Sequence, residues 1–147
     1  MGLPAAPLSD WRLWALGAAV FAAVTALLAK VGVEGVNSNF ATFVRTLVIV
    51  PTLLMVLLAT RQFQHPGSVT PKTYLFLALS GLATGASWLC YFRALQLGPA
   101  ARVAPIDKLS VVLVAVAGTL FLGERLSLGA WVGVGLIATG AICVAVL

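Results

Sequence analysis

The sequence predicts an all-α integral membrane protein with five transmembrane helices. Three observations carry that prediction. Of its 147 residues, 61% are hydrophobic and only 9% are charged, where a soluble domain carries about 25% charged residues. A chain this short cannot fold so much apolar surface inward, because small domains leave much of their surface wet. The apolar residues also fall into five runs. Each holds roughly 20 residues, or ~30 Å as a helix, which matches the hydrocarbon thickness of a bilayer.

Residues 1–10, MGLPAAPLSD, are Pro/Ala-rich and read as an amino-terminal tail ahead of one membrane domain, residues 11–147. The first span covers 11–31. A cleaved signal peptide is the competing reading, but four further apolar runs make a retained span the simpler account. The second span, 40–60, contains Pro51. That residue cannot donate a hydrogen bond and crowds the carbonyl of Leu47, so a kink is expected there. The third span covers 72–97, the fourth 103–122 and the fifth 129–147. Backbone groups in lipid must be satisfied within their own segment, so these runs are helices rather than strands.

The connection at 61–71 is the longest, with Pro and Gly as turn formers. GPAA (98–101) and GERLS (123–127) are tight, which makes spans three to five antiparallel neighbours. Gly81 with Gly85, and Gly129 with Gly133 and Gly140, give small-residue faces suited to close helix approach.

Trp11, Trp14, Tyr74 and Trp131 fall near span ends on one side of the membrane, as an aromatic belt would place them; Trp88 lies well inside span three. Arg12, Arg61, Lys72 and Arg125 lie in loops or the tail on the amino-terminal side, against Lys30 and Arg102 on the other. That bias predicts a cytoplasmic amino terminus. Arg45, Arg93 and Lys108 sit near the opposite side and bring the bias close to zero, which would let the chain insert both ways. The net charge is +5, but the basic residues are dispersed singly, which argues against nucleic acid as a partner. Cys90 and Cys143 lie in apolar runs and the lone His65 in a loop, so no metal, thiol-redox or cofactor site is expected. No GxSxG, HExxH or phosphate-cradling glycine loop occurs, so an enzyme is not expected.

The stretch SWLCYFRALQLGPAARVAPIDKLS (87–110) organises the rest. It sets Arg93, Arg102, Asp107 and Lys108 between two membrane-crossing runs, where a charge needs a partner or a task. Aligned by depth, Lys30, Glu34, Arg45, Arg93, Asp107 and Lys108 fall in one layer near one face of the membrane. Lys30 and Glu34 have the spacing of a local i,i+4 ion pair. Asp107 can pair with Arg93 or Arg102 across the hairpin. Arg45 and Asp107 are read as part of a solute site or of an ion-pair core. Ser80, Thr84, Ser87 and Tyr91 share one face of span three. Ser110 lies on the side of span four that carries Asp107. The candidate substrate or coupling residues are therefore Arg45, Ser87, Trp88, Tyr91, Arg93, Asp107, Lys108 and Ser110, with Lys30 and Glu34 secondary. Glu124 and Arg125 read as a solvated pair in the opposite loop.

ATFVRT (41–46), LSGLATGASWLCYFRALQLG (79–98), VAPIDKLSVVLV (103–114) and FLGERLS (121–127) resemble the EamA domain of the drug/metabolite transporter superfamily, in its short, single-repeat bacterial form. The resemblance implies a secondary transporter that moves a small metabolite or drug-like solute across the bacterial inner membrane by alternating access. An odd number of spans makes a tandem copy insert upside down, with the site between the repeats. The implied complete unit is thus a homodimer, antiparallel in one form, or a pair with an inverted partner chain. The related small multidrug resistance proteins use a glutamate midway along their first span. Here that span reads GAAVFAAVTALLAK and has no acid. The excess of Arg and Lys in the charged layer suits an anionic or zwitterionic solute. The alternative function is a non-transporting membrane subunit whose charged layer only holds helices together.

Overall fold

The computed structural model describes residues 10–147. Asp10 excepted, the expected tail lies outside them. Five helical spans, long and apolar enough to cross a bilayer, follow one another. Among the described residues no strand occurs.

Each start follows from a side chain that satisfies otherwise unpaired backbone donors. Helix α1 (Trp11–Gly32) is capped by Asp10, whose carboxylate accepts from the Arg12 amide at 2.9 Å. Helix α2 (Ser38–Thr60) is capped by Asn37, which accepts from the Asn39 and Phe40 amides. Gly35, with a φ of 71°, turns the chain between them. Helix α3 (Pro71–Leu97) starts with Pro71 behind the Thr70 cap. Helix α6 (Leu128–Val146) starts behind Ser127, whose hydroxyl accepts from the Ala130 amide. The backbone stays helical through Pro51.

The fourth span is the exception. It begins at Ala100, three residues earlier than expected, and runs as α4 (Ala100–Asp107) and α5 (Ser110–Phe121), parted at Lys108 and Leu109. Pro105 cannot donate to the preceding turn. Beyond it the bonds tighten: the Leu109 amide reaches the Ile106 carbonyl and the Val111 amide reaches Lys108, each three residues back. Asp107 and Lys108 sit on this break.

α3 is the centre of one side of the bundle, where both α1 and α2 pack on it. α1 and α2 scarcely touch each other. α4 joins α3 to α6, and α5 continues along α6, so spans three to five are neighbours in chain order. The core is small and lies at one end. Val33 and Leu95 are fully buried, and Ala29 and Phe92 complete their cluster. Most other apolar side chains face outward, as in a chain solvated by lipid. Threonines close the hydrogen-bond inventory along the spans. The Thr42, Thr46, Thr52 and Thr84 hydroxyls each donate to the carbonyl four residues back.

A charged tier joined to a polar cavity

The end of the bundle that holds the core is locked by side chains reaching for backbone. The Lys30 ammonium donates to the carbonyls of Leu95 (2.8 Å) and Gly98 (3.1 Å). Those are the carbonyls left open at the end of α3, where the helix dipole is negative. The expected Lys30–Glu34 pair does not form: Lys30 finds a fixed, partly buried acceptor set, while Glu34 sits exposed in the turn after α1. Arg93 donates to the Gln96 side-chain oxygen at 2.6 Å, and the Gln96 amide donates to the Val36 carbonyl at 2.9 Å. Arg93 therefore belongs to this latch between α3 and the α1–α2 turn.

One step deeper lies a cavity of about 200 Å³, lined by Ala22 and Thr25 from α1, Arg45 from α2, Ser87, Trp88 and Tyr91 from α3, and Asp107 and Lys108 from the break in span four. Arg45, Ser87, Trp88, Tyr91, Asp107 and Lys108 are thus brought together. Ser110 and Arg93 do not line it. Arg45 lies seven residues from the start of α2, and Asp107 seven from the start of α4. At ~1.5 Å per residue both are about 10 Å in from the locked end.

The charges divide unevenly. Asp107 accepts from the Lys108 ammonium at 3.1 Å, and this is the ion pair among the described residues. The expected pairing with Arg93 or Arg102 is replaced by it. Consecutive residues on a regular helix do not face each other, but the tightened turn at Lys108 brings these two together. Arg45 has no carboxylate within ion-pair distance. Its guanidinium instead lies 4.3 Å from the centre of the Trp88 ring and 5.5 Å from that of Phe92. A cation over aromatic faces gains about 2 kcal/mol when shielded from water. That holds the side chain in place without neutralising it. The cavity therefore has one uncompensated positive charge beside a neutralised Asp–Lys pair. The Ser87 and Tyr91 hydroxyls, which line it, make no hydrogen bond among the described residues.

The hydroxyl face of α3 divides between neighbours. Ser87 and Tyr91 look onto the polar cavity, while Ser80 and Thr84 line a separate groove against α2 with Thr42 and Thr46. At the opposite end Glu124 folds back over α5 rather than pairing with Arg125. Its amide donates to the Gly118 carbonyl at 3.1 Å, and its carboxylate sits where a Gly118 side chain would be. Thr25, a cavity wall, had no signal in the sequence beyond being a single hydroxyl in an apolar run.

The sequence matches the EamA-like transporter family over residues 10–146. It is 60% identical over 137 residues, 93% of this chain and 97% of the relative, to a Sinorhizobium sp protein named "Uncharacterized transporter in cobO 3'region". A second relative, from Hamiltonella defensa subsp. Acyrthosiphon pisum (strain 5AT), is 27% identical over 85 residues, 56% of this chain and 77% of that one. It is named "Probable 4-amino-4-deoxy-L-arabinose-phosphoundecaprenol flippase subunit ArnE". No solved structure matches. The family match spans all five membrane spans and the residues around the cavity, and this multi-pass membrane protein belongs to the EamA-like transporter family.

Proposed function

We propose that this chain is half of a secondary transporter of the drug/metabolite transporter superfamily. It works by alternating access in the bacterial inner membrane, with the amino terminus in the cytoplasm. Its solute is small and anionic or zwitterionic. The observation that carries this reading is the Arg45 guanidinium, held over Trp88 and Phe92 at a polar cavity and left without a carboxylate. An intramembrane cation so placed is a functional candidate by its cost alone, about 2.5–3.5 kcal/mol on insertion scales. Ser87 and Tyr91 offer hydroxyls to the same solute. The Asp107–Lys108 pair sits on a broken helix, and interrupted helices recur at transporter binding sites.

The cavity is smaller than the ~300–1,000 Å³ usual for a ligand site, which supports completion by a second subunit. A second copy in inverted orientation supplies it, or a different inverted chain does. The name "flippase subunit" of the ArnE relative favours keeping the second option.

Flux of anionic and zwitterionic solutes into proteoliposomes tests the function. Uptake should fall at least tenfold in Arg45→Gln and in Asp107→Asn. Retained uptake in both variants would sink the assignment of the site. A compartment reporter at Leu147 tests the assembly. Signals from both compartments support an antiparallel homodimer, and a signal from one side calls for a partner chain.

A further inference from the structure

We infer that the Trp88 indole is a movable partition between the anion cavity and a solute route along α3. This inference rests on the transporter reading above and deepens it. A second space, of about 590 Å³, lies between α2 and α3; it is the groove with Thr42, Thr46, Ser80 and Thr84 in its walls. Trp88 lines both this groove and the polar cavity, and no other residue does. Along α3 the groove reaches from Leu89 back to Leu77, twelve positions or about 18 Å of helix, and ends about 9 Å short of the start of α3. It therefore leads from the level of the cavity toward the opposite face of the membrane.

The indole has two places to sit. In the structure its face takes the Arg45 guanidinium at 4.3 Å, which bounds the cavity on the groove side. A helical side chain leans toward the preceding turn, and one turn before Trp88 stand Thr84 and Gly85. A Cβ at Gly85, or at Gly81 a turn further back, would meet nothing within 4 Å. No helix of this chain packs on these glycines, so the ring has space to turn into. Turning it there uncovers Arg45 and joins the two spaces. The groove walls suit passage rather than capture. The Thr42, Thr46 and Thr84 hydroxyls spend their hydrogens on carbonyls of their own helices, at 2.8, 2.9 and 2.9 Å. An anion there finds polar surface but few donors, and a conduction path needs sites weak enough to leave. The strong donors, Arg45, Ser87 and Tyr91, stay in the cavity. The second subunit that the transporter reading requires closes the groove on its lipid side.

The test follows methyl phosphate with the full chain, by calorimetry in nanodiscs for binding and by downhill flux into proteoliposomes for transport. Trp88→Leu should raise the half-saturating concentration severalfold, yet raise the maximal flux at least twofold, because the partition is gone. Gly85→Leu should bind as the parent does, which also shows that it is folded. It should lose at least tenfold in maximal flux, because the added side chain fills the space the ring turns into. Gly85→Ala should lose less than twofold. A Trp88→Leu maximal flux that falls in step with binding would leave Trp88 as a seat for Arg45 alone and overturn the inference. An unchanged maximal flux in Gly85→Leu would do the same. So would a disulfide between two copies of Gly85→Cys, made with Cys90 and Cys143 replaced by alanine, because it needs Cα atoms within about 7 Å of each other, which leaves no width for a solute. If the parent binds methyl phosphate in an Arg45-dependent way without moving it, only this inference falls. If it does not bind, the anion-site reading falls with it.

Discussion

Replacing Lys30 with methionine removes one positive charge and keeps most of the side-chain volume. In the native chain that ammonium donates to two carbonyls at the end of α3, at 2.8 and 3.1 Å. A hydrogen bond from a charged donor is worth about 1.5–3 kcal/mol net. A cation at a helix carboxyl end adds about 0.3–1 kcal/mol. The two bonds share one donor and a partly exposed end, so their effects do not simply add. A loss near the single-bond figure, about 2–3 kcal/mol, is expected. The effect should be local as well as global, because Lys30 ties α1 to the fully buried Leu95. Unfolding in mixed micelles gives the stability change, and hydrogen exchange at the Gly98 amide gives the local one. Lys30→Arg should retain most of the stability. Glu34→Gln should change it by less than about 0.5 kcal/mol, as for an exposed charge with little to lose. A Lys30→Met loss below that same figure, or an equal loss in Glu34→Gln, would refute the capping argument and restore the local ion pair.

Arg61 holds a left-handed backbone with a φ of 54° at the end of α2, so Arg61→Gly should stabilise the chain by about 1 kcal/mol in the same unfolding assay. Gly118→Ala should cost less than about 1 kcal/mol, even though the new Cβ would lie 2.8 Å from a Glu124 oxygen, because the end of a flexible exposed side chain can move aside. Gly118→Leu should cost more, about 1–3 kcal/mol, since a larger side chain at this buried position has more volume to place. Trp88→Leu should release the Arg45 guanidinium and weaken anion binding severalfold, with the calorimetric signal of Trp88→Phe falling in between.

The five spans were legible because length and apolarity in a bilayer leave little choice of structure. The charged layer was legible for a related reason: tight turns fix the depth of each residue, so Arg45, Asp107 and Lys108 had to share a level. Which charges pair was not legible. Lys30 chooses backbone carbonyls of α3, and carbonyls are present at every position of a sequence, so composition carries no sign of them. Asp107 takes its neighbour Lys108 because the helix breaks there; Pro105 was the available signal, set in a run otherwise long enough to read as one helix. Ser80, Thr84, Ser87 and Tyr91 share a face of α3 by their spacing, but they line two different spaces. The division of that face depends on where α2 and α4 cross it, which helical spacing does not encode.

Arg45 also makes the chain an electrical object. It carries charge about 10 Å below one end of the bundle, with no carboxylate alongside to cancel it. Moving one elementary charge through the full membrane potential is worth about 2.3 kcal/mol per 100 mV. In a parallel pair two such charges sit at the same depth, and any motion that carries both in one direction couples to voltage. In an antiparallel pair the two lie at mirrored depths, and symmetric motions displace them in opposite senses, so the field does no net work. The voltage dependence of empty-carrier currents thus distinguishes the two arrangements without a label on either copy.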